Sequence, residues 1–123
     1  MNKPLPTIAM PPMPEFGYDP IPLILSGEKV HTLRKQRHHK RKEITVRGQR
    51  TGIVLEFNGW VEMTQDEFLT NEFAYADGFR AVNSFQTCAD LLYGLLQHFY
   101  GKVPETMWCN YFRVVQRPKE DPK

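Results

Sequence analysis

Three side chains that could take part in binding or catalysis lie at short intervals in the stretch Gly27-x-Lys29-x-x-Thr32-x-Arg34. If residues 30–34 form a strand, Thr32 and Arg34 point to the same face, because side chains alternate along a strand with a period of two. Lys29, at the turn that enters the strand, can lean over that face. The spacing therefore predicts that an ammonium, a hydroxyl and a guanidinium converge.

Such a cluster supports two kinds of chemistry. It can bind a phosphate or a carboxylate, with arginine as a bidentate donor and lysine as a point charge. It can also act in catalysis, since a desolvated lysine can lose its proton and serve as the base that activates a threonine hydroxyl as nucleophile. A solvated strand end without chemistry has the same pattern, so the spacing alone leaves three interpretations open.

A second cationic feature, the run "RKQRHHKRK" over residues 34–42, directly follows this cluster. We predict a polar loop over residues 35–42. Cations on one loop beside a cleft would follow a nucleic-acid backbone and make binding salt-dependent, whereas an ordinary solvated loop is the alternative. The loop residues predicted to contact RNA together with Arg34 are Lys35, Arg37, Lys40, Arg41 and Lys42.

Other residue types in the chain carry weaker signals. No cysteine or carboxylate completes a ligand set with His31, His38 and His39 at suitable spacing, so we predict neither a metal site nor a cofactor. Three aromatic residues could stack on a base or belong to the core, namely Trp60, Tyr75 and Trp108. The two cysteines, Cys88 and Cys109, are too few for a disulfide framework and are expected in the core.

Length and composition bound the class of protein. A chain of 123 residues with 41% hydrophobic residues is expected to fold as one domain. It has no apolar run of the roughly 20 residues that span a bilayer and no signal-peptide pattern near its start, which predicts a cytoplasmic protein. Nine of the sixteen Lys and Arg residues lie in residues 29–50, and six acids but no cation lie in residues 51–77. This polarity predicts either a basic face or two neighbouring strands that neutralise each other.

Local patterns predict the elements that position the cluster. Residues 1–14 are rich in proline and are predicted to form an extended arm, residues 15–117 a single domain, and residues 118–123 a flexible tail. The predicted strands are "KVHTLR", "EITV", "TGIVLEFNGWVEM" with a bend or bulge at Asn58-Gly59, and "MWCNYFRVVQ". "IPLILSG" reads as a short helix or turn that ends at Gly27, and further short helices start at Thr64 and Thr70.

The strongest helical pattern covers residues 84–99, with Asn83 or Ser84 as its cap and Gly101 at its end. Its apolar positions recur at helical spacing and are predicted to be core: Phe85, Cys88, Leu91, Leu92, Leu95 and Phe99. The fold class that follows is α+β, with a small, mostly antiparallel, closed or nearly closed β-barrel, one main helix and short flanking helices.

Two segments of the sequence resemble one known family in the same order. Gly27-x-Lys29-x-x-Thr32-x-Arg34 is similar to the signature of the ASCH domain family, relatives of the PUA RNA-binding domain. "FLTNEFAYADGF", residues 68–79, followed by a helix that ends in "YG" and by "FRVV", resembles the later segment of that family. The resemblance spans roughly residues 15–117 and implies a PUA-like barrel.

The resemblance also implies a site. Similar small bacterial members are N4-acetylcytidine amidohydrolases that use a lysine, a threonine and a glutamate, and these positions fall on Lys29, Thr32 and Asp77. Asp77 is one methylene shorter than glutamate, and a displacement of about 1 Å can cost about 100-fold in catalysis. The sequence therefore leaves enzyme activity open, as an amidohydrolase or a ribonuclease. A helix-end aspartate without a role in chemistry is the alternative for Asp77.

The expected function is binding of RNA or a modified nucleoside in a cleft lined by Lys29, Thr32, Arg34 and Asp77, with hydrolysis of N4-acetylcytidine as an additional activity. In that reaction Lys29 would be the base, Thr32 the nucleophile and Asp77 the group that orients the lysine or holds its charge. Arg34 would hold an oxyanion or a phosphate. The alternative is a non-catalytic interaction module that docks a protein or a ribonucleoprotein through the basic loop and the proline-rich arm.

Overall fold

The computed structural model describes residues 3–81 and 85–118, which form one mixed sheet and a set of helices. The strands are β1 Thr7–Ala9, β2 His31–Arg34, β3 Lys40–Val46, β4 Gln49–Thr64 and β5 Thr106–Gln116. The helices are α1 Pro20–Ser26, α2 Gln65–Phe68, α3 Asn71–Asp77 and α4 Cys88–Tyr100, with a 3₁₀ turn at Pro14–Phe16. The α+β class is confirmed.

The sheet has the strand order β1-β3-β4-β5-β2 and curls into a half-barrel. Strand β1 runs parallel to β3, and the other neighbouring pairs are antiparallel. The pairing of β4 with β5 shifts register between Val54 and Leu55 and again between Phe57 and Gly59. Such bulges bend a strand, which allows β4 to follow the curl, and the predicted bulge at Asn58-Gly59 is confirmed.

Two hydrophobic clusters stabilise the fold. One joins β1 and α1 to β3, β4 and β5 and contains Ile8, Met10, Ile24, Ile44, Ile53, Leu55, Phe57 and Phe112. The other packs α3 and α4 against β2 and β5 and contains, among others, Leu33, Phe68, Phe79, Leu92, Leu95, Met107 and Cys109. The site described below lies where elements of both clusters meet.

The proline-rich arm is extended and contributes the edge strand β1. Ile8 and Met10 are buried, and the Met10 amide donates a hydrogen bond to the Thr45 carbonyl at 2.9 Å. The sequence predicts an extended arm over residues 1–14, and in the structure Ile8 and Met10 of this segment belong to the first cluster. The arm therefore belongs structurally to the sheet.

The main helix differs from its prediction in its first residue and in the exposure of the first and last residues of the apolar stripe. It begins at Cys88, because Thr87 and Asp90 form a capping box in which each side chain accepts from the other's backbone N–H. The predicted caps Asn83 and Ser84 lie outside the described residues. Leu91, Leu92 and Leu95 are buried as predicted, but Phe85 and Phe99 are 93% and 54% exposed. The predicted core role of these two phenylalanines is wrong.

The predicted loop over residues 35–42 is also too long. Strand β3 already begins at Lys40, so only residues 35–39 connect β2 with β3. Charged residues fit a strand here because Arg41 meets Glu56 on β4, with Arg41 Nε 3.1 Å from Glu56 Oε2. This pair is an instance of the predicted neutralisation between the basic residues 29–50 and the acidic residues 51–77.

The short helices follow their sequence signals. Thr64 and Glu67 form the predicted capping box of α2, and the Thr70 hydroxyl accepts from the Phe73 amide at the start of α3. Helix α3 ends at Gly78 with a φ of 113°, a conformation that favours glycine. In the described part of the chain, none of the helices has the length and apolar content needed to cross a bilayer.

Candidate functional site

A buried ion pair joins the start of β2 to the end of α3. Lys29 follows the left-handed Gly27 that ends α1, and Asp77 is the last residue of α3. Lys29 Nζ donates to Asp77 Oδ1 at 2.8 Å, to the Asp77 carbonyl at 2.6 Å and to the His31 carbonyl at 2.7 Å. An ammonium has three N–H donors, so all of them are engaged.

The pair has a third member that sequence reasoning considered only as a metal ligand. His31 Nδ1 lies 3.0 Å from Asp77 Oδ1, and its ring stacks on Phe73 with centroids 5.0 Å apart. Both partners lie on α3, and in the sequence they are 42 or more residues away from His31. His31 therefore helps to fix the carboxylate against β2.

Thr32 and Arg34 share one face of β2, as predicted from strand alternation. Thr32 is buried, and its hydroxyl oxygen accepts from Arg34 Nε at 3.2 Å. Arg34 Nη2 donates to the carbonyl of Ala9 at 2.7 Å. Because β1 and β2 are the two edges of the sheet, Arg34 connects them across the open side of the half-barrel.

A cavity of about 310 Å³ opens beside this cluster. Its polar wall includes Thr32, Arg34 and Asp77, whereas Lys29 lies behind Asp77 and is not part of the lining. The apolar wall comes from the arm, from Tyr18 and Phe79, and from one side of α4: Met10, Met13, Leu92, Leu95, Leu96, Phe99 and Tyr100. Predominantly apolar walls with a few convergent polar groups are typical of small-molecule sites.

Tyr18 is a cavity residue that the sequence did not reveal. Its ring stacks on Phe79 with centroids 4.7 Å apart, and Lys29 Nζ lies 5.6 Å from its ring centroid. Burial raises the pKa of the Tyr18 phenol, and the neighbouring positive charge of Lys29 opposes that shift. A tyrosine in a proline-rich segment has no periodic pattern around it, so only the tertiary structure shows its role.

The loop between β2 and β3 is held against the sheet. The Asn110 side chain on β5 accepts from the His38 amide at 2.7 Å and donates to the Gln36 carbonyl at 3.1 Å. From β4, the Trp60 indole N–H donates to the His38 carbonyl at 2.6 Å. Asn110 is fully buried, so an internal amide fixes the path of this basic loop.

Two loop cations lie over aromatic rings of the protein itself. The Arg37 guanidinium is 5.8 Å from the ring centroid of Trp60 and 5.1 Å from that of Trp108. Lys35 Nζ is 5.2 Å from the ring centroid of Tyr100. Cation–π contacts of this kind are worth about 0.5–1 kcal/mol at exposed sites, so each contributes only modestly to holding the loop in place.

The aromatic residues predicted as stacking platforms already have cationic partners. Arg37 covers Trp60 and Trp108, and the Arg80 guanidinium lies 3.6 Å from the ring centroid of Tyr75. His39 also packs on Trp60, with centroids 4.7 Å apart. A base that stacked on one of these three rings would therefore have to displace or share a protein side chain.

The remaining predicted RNA contacts lie on the first residues of β3. Lys40 is exposed, and Arg41 shares Glu56 with Arg113, whose Nη2 lies 2.6 Å from Glu56 Oε1. These two arginines lower the pKa of Glu56 through hydrogen bonds. Lys42 is half-buried, and its Nζ lies 2.7 Å from His38 Nδ1.

Charge and burial shift the pKa values around Lys42. Burial lowers the pKa of Lys42, and the positive charge of Arg34 lowers it further. Burial and then the positive charges of Lys42, Arg34 and His39 lower the pKa of His38 to about 4. A neutral His38 at physiological pH accepts a hydrogen bond from the Lys42 ammonium. Among residues 3–81 and 85–118, no three His, Cys, Asp or Glu side chains group as metal ligands.

Comparison with known proteins places this geometry on a known fold. The sequence matches no family model and has no significant match among curated proteins. The structure is similar to protein EF3133 from Enterococcus faecalis V583, whose family model is DUF984, with a TM-score of 0.67 and 15% identity over 100% of this chain and 88% of that one. It is also similar to the ASCH domain from Lactobacillus crispatus JV V101, with a TM-score of 0.54 and 16% identity over 78% of this chain and 70% of that one.

The type of fold follows from these likenesses. The chain has an ASCH-type, PUA-like fold, which confirms the fold that the two sequence segments implied. At 15% and 16% identity the likeness establishes the fold alone. What the cavity binds has to be argued from its own residues.

Proposed function

We propose that this protein binds RNA or a modified nucleoside by taking a single base into the cavity beside α4. The observation that carries the proposal is the cavity itself: an apolar space of about 310 Å³ with Thr32, Arg34 and Asp77 on one wall. Bases in single strands can be splayed out and stacked on aromatic side chains. Tyr18 and Phe79 line the cavity as a mutually stacked pair, so a base inside would pack beside this pair and against the leucines of α4.

The polar wall favours one kind of base edge. The side-chain hydrogen bonds of Asp77 in the described structure use Oδ1, so Oδ2 is the oxygen offered to a ligand. The Thr32 hydroxyl accepts from Arg34 and can donate its own hydrogen. An acceptor beside a donor matches an exocyclic amino group next to an unprotonated ring nitrogen, as in cytosine and adenine. We therefore expect bases with an amino group to bind in preference to uracil.

Hydrolysis of N4-acetylcytidine is a second candidate, supported by the presence of Thr32 and Asp77 in one cavity. Asp77 does reach the lysine despite its shorter side chain, at 2.8 Å. Lys29, however, donates to three acceptors and does not line the cavity, so it would have to release a hydrogen bond to serve as a base. The geometry favours binding over turnover, with ribonuclease activity and docking of a protein partner as further outcomes of the tests.

Affinity measurements with nucleosides test the proposal. We expect cytidine to bind about tenfold or more tightly than uridine, because the uracil O4 would face the Asp77 carboxylate and a charged hydrogen bond is worth about 1.5–3 kcal/mol. Thr32→Val should weaken cytidine binding by up to about tenfold, since it removes one neutral hydrogen bond. Thr106→Val, at an exposed position on β5, is the matched control and should change nothing.

The outcomes separate the candidate functions. Equal affinity for cytidine and uridine would contradict the assigned roles of Thr32 and Asp77. We expect wild-type protein to leave N4-acetylcytidine intact. Release of cytidine from it, lost in Thr32→Val, would instead establish the amidohydrolase, and cleavage of single-stranded RNA would establish the ribonuclease. Capture of a protein partner without any nucleoside affinity would support the docking alternative.

A further inference from the structure

Two cationic side chains, Arg34 on β2 and Lys42 on β3, differ from the other cations of the sheet in their partners. Arg34 lines the cavity and donates to two neutral oxygens, Thr32 Oγ1 and the Ala9 carbonyl. Lys42, on β3, contacts the neutral His38 Nδ1 at 2.7 Å. Within residues 3–81 and 85–118, the salt bridges of the described structure include neither Arg34 nor Lys42.

This arrangement contrasts with the other cations of the same strand pair. Arg41 and Arg50 project from β3 and β4 and each meet a glutamate, Glu56 and Glu43 respectively. Asn110 lies opposite Thr32 in the β2–β5 pairing and accepts from the His38 amide at 2.7 Å, and the His38 ring contacts Lys42. These contacts bring Lys42 toward the strand that carries Arg34. Two cations held together by the fold, half-buried and without a counter-charge, are unfavourable until an anion joins them.

We infer that Arg34 and Lys42, with His38 as the acceptor that orients Lys42, form a phosphate-binding site at the mouth of the cavity, so that the ligand is a nucleotide rather than a free nucleoside. Arg34 supplies a planar donor group and Lys42 a point charge, the two cation types that bind phosphate in complementary ways. The base-binding part of this inference rests on the proposed function, whereas the phosphate-binding part does not. In a nucleotide the phosphate is joined to the base through the ribose, so a phosphate bound by Arg34 and Lys42 would lie within about one ribose of a base in the cavity that Arg34 lines.

The arrangement also explains the fixed path of the basic loop. Asn110 and Trp60 hold the backbone of His38, and the His38 ring packs on Phe57 with centroids 5.4 Å apart. His38 is thereby held where its Nδ1 meets Lys42 Nζ. The loop is a support for the anion site, while Lys35, Lys40 and Arg41 remain on the outer surface for neighbouring phosphates of a longer RNA.

Two titrations with the full chain test the site. In the first, cytidine 3′- and 5′-monophosphate are compared with cytidine, and we expect at least one of them to bind about tenfold more tightly. In Lys42→Gln that ratio should fall to about one. Arg47→Gln, which removes an exposed charge from the opposite end of β3, should leave the ratio unchanged. Monophosphates that bind no more tightly than cytidine would overturn the inference and leave the proposed base site standing.

The second titration uses inorganic phosphate alone and follows the His38 ring by NMR. An anion beside Arg34 and Lys42 cancels part of the positive charge around His38, so its pKa should rise from about 4. Lys42→Gln should remove the phosphate-dependent rise, and chloride at matched ionic strength should not produce it. A His38 pKa that stays the same when phosphate is added would overturn the inference. A phosphate response without cytidine binding would support the anion site and contradict the base site.

Discussion

At the scale of single residues, Lys29 has a structural position that its sequence motif does not reveal. It is 1% exposed, among the largest fully buried side chains, and spends its three N–H donors on Asp77 and His31. A buried charge is tolerated when it is paired and hydrogen-bonded. Lys29 therefore fixes the cavity wall through Asp77, and Thr32, Asp77 and Arg34 are the polar side chains that line the cavity.

Replacement of Lys29 tests this structural role. Lys29→Met should lower the free energy of unfolding by about 3–5 kcal/mol, because it leaves the Asp77 carboxylate buried with only His31 as a side-chain partner. The double variant Lys29→Met with Asp77→Leu should recover most of that loss, since replacing both members of a buried pair by apolar groups is often near neutral. The measurement is urea-induced unfolding.

The control and the contradicting result are equally direct. Lys102→Met removes a lysine from an exposed position outside the helices and strands and should change stability by less than about 0.5 kcal/mol. If Lys29→Met were as harmless as this control, the ion pair would not hold the cavity wall, and a role for Lys29 in chemistry would become the better explanation of its burial.

The residues of the site were predictable to different degrees. Lys29, Thr32 and Asp77 came from their resemblance to a family motif, and the shared face of Thr32 and Arg34 from strand alternation. Tyr18 could not be predicted, because its contact with Phe79 joins two segments that are far apart in the sequence. The pairing of Arg37 with Trp60 and Trp108 was equally hidden, since it needs the relative placement of three segments.

At the scale of elements, α4 forms one side of the cavity and part of the second cluster at the same time. Leu92 is 1% exposed and lines the cavity, whereas its neighbour Tyr93 is 46% exposed. The apolar period of the helix was visible in the sequence, but its start was not. Two capping signals competed, and the Thr87–Asp90 box places the beginning of the helix at Cys88, past the predicted start at residue 84.

Truncation of this helix face tests the packing. Leu92→Ala should destabilise the protein by about 2–5 kcal/mol, because it removes a buried side chain and enlarges a space that the structure keeps partly open. Tyr93→Ala on the opposite, exposed side should stay within about 0.5 kcal/mol of wild type. Equal effects of the two substitutions, measured by chemical denaturation, would show that the assignment of the buried face is wrong.

At the scale of the whole molecule, the half-barrel and α4 enclose a cavity with mainly apolar walls and one polar wall that includes Arg34. Arg41 and Arg50 are neutralised by acids of neighbouring strands, whereas Arg34 and Lys42 form no salt bridge within residues 3–81 and 85–118. Composition had left a basic face and mutual neutralisation as alternatives, and the structure shows mutual neutralisation for some cations of the basic segment but not for all. This separation could not be read from net charge.

The central claim is that a base lies inside the cavity, and the most direct measurement is the set of nuclear Overhauser contacts between cytidine 5′-monophosphate and the wild-type protein. We predict contacts from the cytosine H5 and H6 protons to the methyl groups of Leu92, Leu95 and Leu96, which line the cavity together with Tyr18 and Phe79. Contacts confined to the Trp60 and Trp108 rings, with the three leucines unaffected, would place the base on the outer surface and contradict the account.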